Sequence, residues 1–150
     1  MMLAFSIALL CTPAQAAISL QPGEWQETTT GTEDGKPVPP DVDKTCMPPE
    51  EARDAANVVK QMKEQMQESA GQCQKFDAKE IGNTVVFAMQ CGDPKTMAMD
   101  IAGTFTFVSP TRYTGTMKSS MVMGGKAMTM DKKIDAVRIG DCKSDSGKKK

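Results

Sequence analysis

From Cys73 to Ala136 the apolar side chains fall on alternate residues. A period of two puts them on one face of extended chain, so this stretch must form β-structure that covers one side and exposes the other. Val85, Phe87, Met89 and Cys91 alternate with Thr84, Val86, Ala88 and Gln90. Met97, Met99, Ile101, Gly103, Phe105 and Phe107 keep one face apolar, and Tyr113, Gly115, Met117, Met121 and Met123 continue it. Met128, Met130, Ile134 and Ala136 complete the series. Turn signals separate the runs at Gly82-Asn83, Gly92-Asp93-Pro94-Lys95, Ser109-Pro110-Thr111 and Gly124-Gly125-Lys126. Connections this short join antiparallel neighbours, which makes the sheet a meander.

Parity tests the register, because a slip of one residue turns a whole face over. Placing Phe107 opposite Tyr113 sets Phe105 against Gly115, Gly103 against Met117, Met99 against Met121 and Met97 against Met123. Placing Met123 opposite Met128 sets Met121 against Met130, Ser119 against Lys132 and Met117 against Ile134. Closing Cys91 onto Met97 brings Met89 beside Met99 and Phe87 beside Ile101. All three hairpins put the same apolar face on the same side. Each glycine within it lies beside a large residue, as a twisting sheet requires.

Upstream, Gln21 to Thr32 reads as a threonine-rich strand opened by Pro22-Gly23. Glu33 to Thr45, with Gly35, Pro37, Pro39 and Pro40 among acidic residues, reads as a loop. Pro48-Pro49-Glu50-Glu51 suits a helix start, with proline in the first turn and carboxylates at the positive end of the dipole. Ala52, Ala55, Ala56, Val59, Met62, Met66 and Ala70 recur at helical spacing before Gly71. The expected helix therefore covers about 49–70 and is amphipathic, with a thin apolar stripe. The fold class is mainly β (α+β): an antiparallel meander of about six strands with one helix after the first. It either curls into an open barrel, which would remove its edges, or stays open with the helix across it.

Residues 1–16 read as a signal peptide. The apolar run from Leu3 to Cys11 is too short to cross a bilayer, which takes about 20 residues. Pro13-Ala14-Gln15-Ala16 then supplies the small-x-small cleavage pattern, so cleavage falls near Ala16. No Lys or Arg precedes the apolar run, which points to a misplaced start or a truncated fragment. The remaining chain divides into a single domain over 17–142 and a short, disordered basic tail over 143–150, with no transmembrane segment. The expected compartment is the periplasm or the exterior of the cell.

Cysteine usage agrees with export. Cys46, Cys73, Cys91 and Cys142 show no CxxC or zinc-knuckle spacing, so they read as two structural disulfides in an oxidising compartment. Cys73 lies near Cys91 across the Gly82-Asn83 hairpin, leaving Cys46 for Cys142. The rival is Cys46 with Cys73 and Cys91 with Cys142. The sheet sets Cys91 and Cys142 at opposite ends, which favours the first pairing.

Pro22-Gly23-Glu24-Trp25-Gln26-Glu27-Thr28-Thr29 resembles the opening strand of a family of bacterial exported proteins called domain of unknown function 3617. The resemblance continues through Thr45-Cys46-Met47-Pro48-Pro49-Glu50-Glu51-Ala52, Cys73, Gly82-Asn83-Thr84-Val85 and Met89-Gln90-Cys91. It closes on Arg138-Ile139-Gly140-Asp141-Cys142, and methionine-rich late strands are also family-like. The chain departs from the pattern mainly in a longer helix. The resemblance implies a small secreted or periplasmic protein of Gram-negative bacteria and brings no activity, ligand or catalytic residue with it.

Composition narrows function by exclusion. There is no histidine, so no imidazole serves as general base or metal ligand. With 18 Lys+Arg against 19 Asp+Glu, no basic field exists for nucleic acid. The carboxylate pairs Glu33-Asp34 and Glu50-Glu51 read as solvated charge, and the cysteines as bonded. We therefore expect no catalysis and no cofactor, but a small protein that binds an apolar ligand or a component of the cell envelope. Trp25 reads as a buried anchor, and Ser119 with Lys132 as the flank of an opening or an edge.

The chain holds 13 methionines. The register gathers Met89, Met97, Met99, Met121, Met123, Met128 and Met130, with Cys91, into two adjacent rows at one end of the sheet. Methionine is a pliable apolar filler, so core packing is the simplest account. A small apolar ligand is the second, held by Phe87, Met99, Phe105, Phe107, Tyr113, Met117, Met121 and Met130 in a curled sheet. The third is Cu(I), bound by the thioethers of Met97, Met99, Met121, Met123, Met128 and Met130, since soft sulfur ligands suit that ion.

Overall fold

The computed structural model describes residues 18–52, 54–68, 73–93 and 95–143. The leader, Arg53, Ala70, Gly71 and the tail beyond Lys143 lie outside the described residues, as does the side chain of Met66. Seven strands form one antiparallel sheet: β1 (Gly23–Glu33), β2 (Lys36–Met47), β3 (Cys73–Ile81), β4 (Thr84–Asp93), β5 (Met97–Ser109), β6 (Arg112–Met123) and β7 (Lys126–Gly140). Helix α1 (Ala55–Glu68) lies between β2 and β3. The spatial order is β2-β1-β7-β6-β5-β4-β3, so the meander stays open and β2 and β3 form its edges.

The meander, its antiparallel pairing and its apolar face agree with the sequence. Phe107 opposes Tyr113, Phe105 opposes Gly115, Gly103 opposes Met117, Met99 opposes Met121 and Met97 opposes Met123. Two hairpins differ by two residues. Met123 pairs with Lys126, so Met121 meets Met128, Ser119 meets Met130, Met117 meets Lys132 and Gly115 meets Ile134. The cause is a two-residue turn at Gly124-Gly125, whose φ angles of 57° and 78° suit the twist of the strands it joins. On the other side Asp93 pairs with Met97, which puts Cys91 against Met99, Met89 against Ile101 and Phe87 against Gly103. A shift of two leaves every side chain on its face. It also moves Ser119 and Lys132 into different rows and spreads the methionines over three rows instead of two.

The segment read as a loop is strand β2. Asp34-Gly35 makes a two-residue turn, and Lys36–Met47 returns along β1. The register shifts between Thr29 opposite Asp41 and Gly31 opposite Val38, so Pro39 and Pro40 fall in a bulge. A bulge on an edge strand is where proline's missing N–H does least harm. This brings the strand count to seven and sets the helix after the second strand.

Helix α1 begins at Ala55, later than Pro48-Pro49 suggests. Those prolines instead open a turn, in which Glu51 N–H and Ala52 N–H donate to the Pro48 carbonyl. Asp54 is the true N-cap: its Oδ1 accepts the Asn57 N–H at 2.9 Å. The stripe facing the core is Ala55, which is buried, with Val58, Val59 and Met62 half-buried, while Ala56 is exposed. The chain leaves one edge at β2 and re-enters at the other edge, β3, so its connection has to pass over the sheet. Ala55 is buried in that crossing.

The core lies at one end of the face. Leu20, Trp25, Ala55, Val85, Phe107 and Ala136 are buried together, and Met47, Phe105 and Tyr113 pack against them. The segment before β1 closes this end: Gln21 N–H donates to Pro110 O, and Trp25 Nε1 donates to Gln21 O at 3.0 Å. Trp25 is 2 % exposed, the anchor that was expected. Fully burying each large side chain here contributes about 1.5–3 kcal/mol. Two disulfides add to this, Cys46–Cys142 and Cys73–Cys91, the pairing the register favoured.

Candidate functional site

Four strands contribute to an aromatic series across the sheet. Trp25 on β1 lies 5.6 Å from Tyr113 on β6, between ring centroids. Tyr113 meets Phe105 on β5 edge-on at 6.4 Å, and Phe105 stacks on Phe87 of β4 at 5.6 Å. Two glycines make room for it. A Cβ on Gly103 would sit 2.8 Å from the Phe87 ring, and one on Gly115 would sit 2.9 Å from the Phe105 ring. Each phenyl ring therefore lies flat over a bare strand, and the alternation of glycine with aromatic residues in the sequence encodes that.

Helix α1 packs against β3 and β4, and between it and this series lies a groove of about 440 Å³. Leu20, Met47, Val58, Phe105, Phe107 and Tyr113 supply its apolar lining, with Gln61 and the exposed Glu51 and Gln65 also along it. Its fixed polar feature is the Tyr113 hydroxyl, which donates to Glu27 Oε2 at 2.8 Å. Burial, and then this bond to a carboxylate, hold the hydroxyl protonated well above its ordinary range. The site is thus a concave aromatic and aliphatic surface with one oriented donor–acceptor pair, the usual make-up of a small-ligand cleft.

Of the ligand-binding residues expected from the sequence, Phe105, Phe107 and Tyr113 line this groove. Phe87 is only 4 % exposed, stacks on Phe105 and does not line the groove. Met99 and Met121 line a separate hollow of about 540 Å³ at the other end of the sheet, together with Cys91 and Met97. Met117 is half-buried beside Gly103 and Lys132, and Met130 is half-buried beside Ser119. Leu20, Met47 and Val58 were missed. For Val58 the signal was present, since it stands three residues after Ala55 on the helical stripe; for Leu20 and Met47 only the tertiary fold shows where they land.

The methionines also part company. Met97, Met123 and Met128 are exposed, and Met99, Met121 and Met130 are half-buried. Packing within the core does not describe the exposed three, because the core is at the opposite end.

An open seven-stranded antiparallel meander, with one helix packed against β3 and β4 and two disulfides tying it, is the class of protein these features define. The chain belongs to the family described as protein of unknown function (DUF3617), whose profile matches residues 20–142. No curated protein and no solved structure shows significant similarity to it. Among the described residues, no helix is long and apolar enough to cross a membrane.

Proposed function

We propose that the chain is an exported, non-catalytic binding protein that takes a small apolar ligand in the groove between α1 and the aromatic face of β5 and β6. The observation that carries this reading is the groove itself: it is lined by Leu20, Met47, Val58, Phe105, Phe107 and Tyr113, and open along one helix. The leader and the two disulfides support an oxidising compartment outside the cytoplasm. The Tyr113–Glu27 pair supports a ligand with one polar end, because it offers an oriented hydroxyl at the base of an apolar wall.

Native mass spectrometry of protein extracted gently from periplasm should find a co-purifying apolar guest. The dye N-phenyl-naphthylamine should fluoresce on binding, and Val58→Trp, which fills the groove, should weaken that response by about tenfold. No guest in the spectrum, together with equal dye binding by wild type and Val58→Trp, would discard the proposal.

A further inference from the structure

We infer that the exposed end of the apolar face is a binding site for a soft monovalent cation, Cu(I), formed by Met99, Met121 and Met128 with Met97 and Met123 beside them. The site is separate from the groove and does not depend on its having a ligand. Met99 opposes Met121, and Met121 opposes Met128, so three thioethers stand in one row across β5, β6 and β7. Met97 opposes Met123 in the next row. Directly opposed side chains have Cβ atoms about 4.5–5.5 Å apart, and methionine's three rotatable bonds let the sulfurs converge from there.

Exposure distinguishes ligation from packing. Met97 is 52 %, Met123 58 % and Met128 38 % exposed, whereas the buried core is at the Trp25 end. On this face neither row contains Leu, Ile or Val, which would fill space as well and bind nothing. Cys91 continues the Met99 row, but its sulfur is bonded to Cys73, so the donors are neutral thioethers. Among the described residues no three His, Cys, Asp or Glu side chains gather to attract a harder metal. Neutral sulfur without imidazole or thiolate selects Cu(I), and Ag(I) as its redox-inert equivalent.

The test uses the full chain carrying Cys11→Ser, with disulfides intact and methionine methyl groups labelled with carbon-13. Titration with Ag(I) should shift the methyl signals of Met97, Met99, Met121, Met123 and Met128 and leave Met47 and Met62 in place. In competition with a Cu(I) chelator, the protein should bind about tenfold or more tightly than a short Met-x-Met peptide. The combined variant Met99→Leu, Met121→Leu, Met128→Leu should lose that advantage while Trp25 fluorescence reports an intact core. Met121→Leu alone, the middle of the row, should already weaken binding several-fold. Shifts spread equally to Met47 and Met62, affinity no better than the peptide's, or unchanged binding by Met121→Leu would each overturn the site.

Discussion

Tyr113 shows how one side chain joins fold and site. It is the single tyrosine, it completes the aromatic series, and its hydroxyl is bonded to Glu27 at 2.8 Å. Because its folded pKa is raised above the ordinary 10.0, the folded state holds this proton more tightly than the unfolded chain does. Its stabilising contribution is therefore complete below about pH 10 and is lost as pH rises through the folded value. In an alkaline titration followed by tyrosinate absorbance, the native protein should stay protonated where the urea-unfolded chain is already half-ionised. Stability should also fall less steeply above pH 10 in Tyr113→Phe than in wild type. Native and unfolded protein ionising together would remove this account. That Tyr113 belongs to the apolar face was legible from alternation; that Glu27, distant along the chain, would accept its hydrogen bond was not, because only the β1–β7–β6 order brings them together.

Elements were legible where a local pattern had no rival. β3 to β7 carry a two-residue period and turn residues, and each forms where the pattern put it. β2 failed that test because Pro37, Pro39, Pro40 and the surrounding charge resemble a loop, yet an edge strand bonds on one side only and can carry them. Hairpin registers were right in parity and wrong by two both at Gly124-Gly125 and between Asp93 and Met97, since loop length, not the apolar pattern, selects the turn. The helix began at the wrong signal for a related reason. Pro48-Pro49 and Asp54 both suit an N-terminus, and the capping bond from Asn57 N–H to Asp54 Oδ1 decides between them. Asp54→Ala should cost about 0.5–2 kcal/mol in urea denaturation and loosen the helical wall of the groove. No change in midpoint would mean that another residue caps α1.

On the scale of the whole molecule, the two disulfides do unequal work. Cys46–Cys142 closes a sequence separation of 96 residues and fastens β2 to the chain after β7, whereas Cys73–Cys91 spans 18 within one hairpin. Restriction of the unfolded chain grows with the logarithm of loop length, so the long bridge should stabilise by about 1–2 kcal/mol more. Paired Cys-to-Ala variants compared in urea should show Cys46→Ala/Cys142→Ala as the weaker protein; equal losses would contradict the loop-length argument. By itself, the sequence determined the antiparallel meander from β3 to β7, and, over β4 to β7, the parity of the faces and the rows' membership to within two residues. These come from period and turn chemistry, which act over a few residues. Which end of the apolar face is covered was decided only in three dimensions. Ala55, Val58, Val59 and Met62 of α1 and the segment at Leu20 pack at the Trp25 end, while Met97, Met123 and Met128 at the other end stay exposed. No local pattern encodes that choice, because it depends on contacts between residues far apart in the chain.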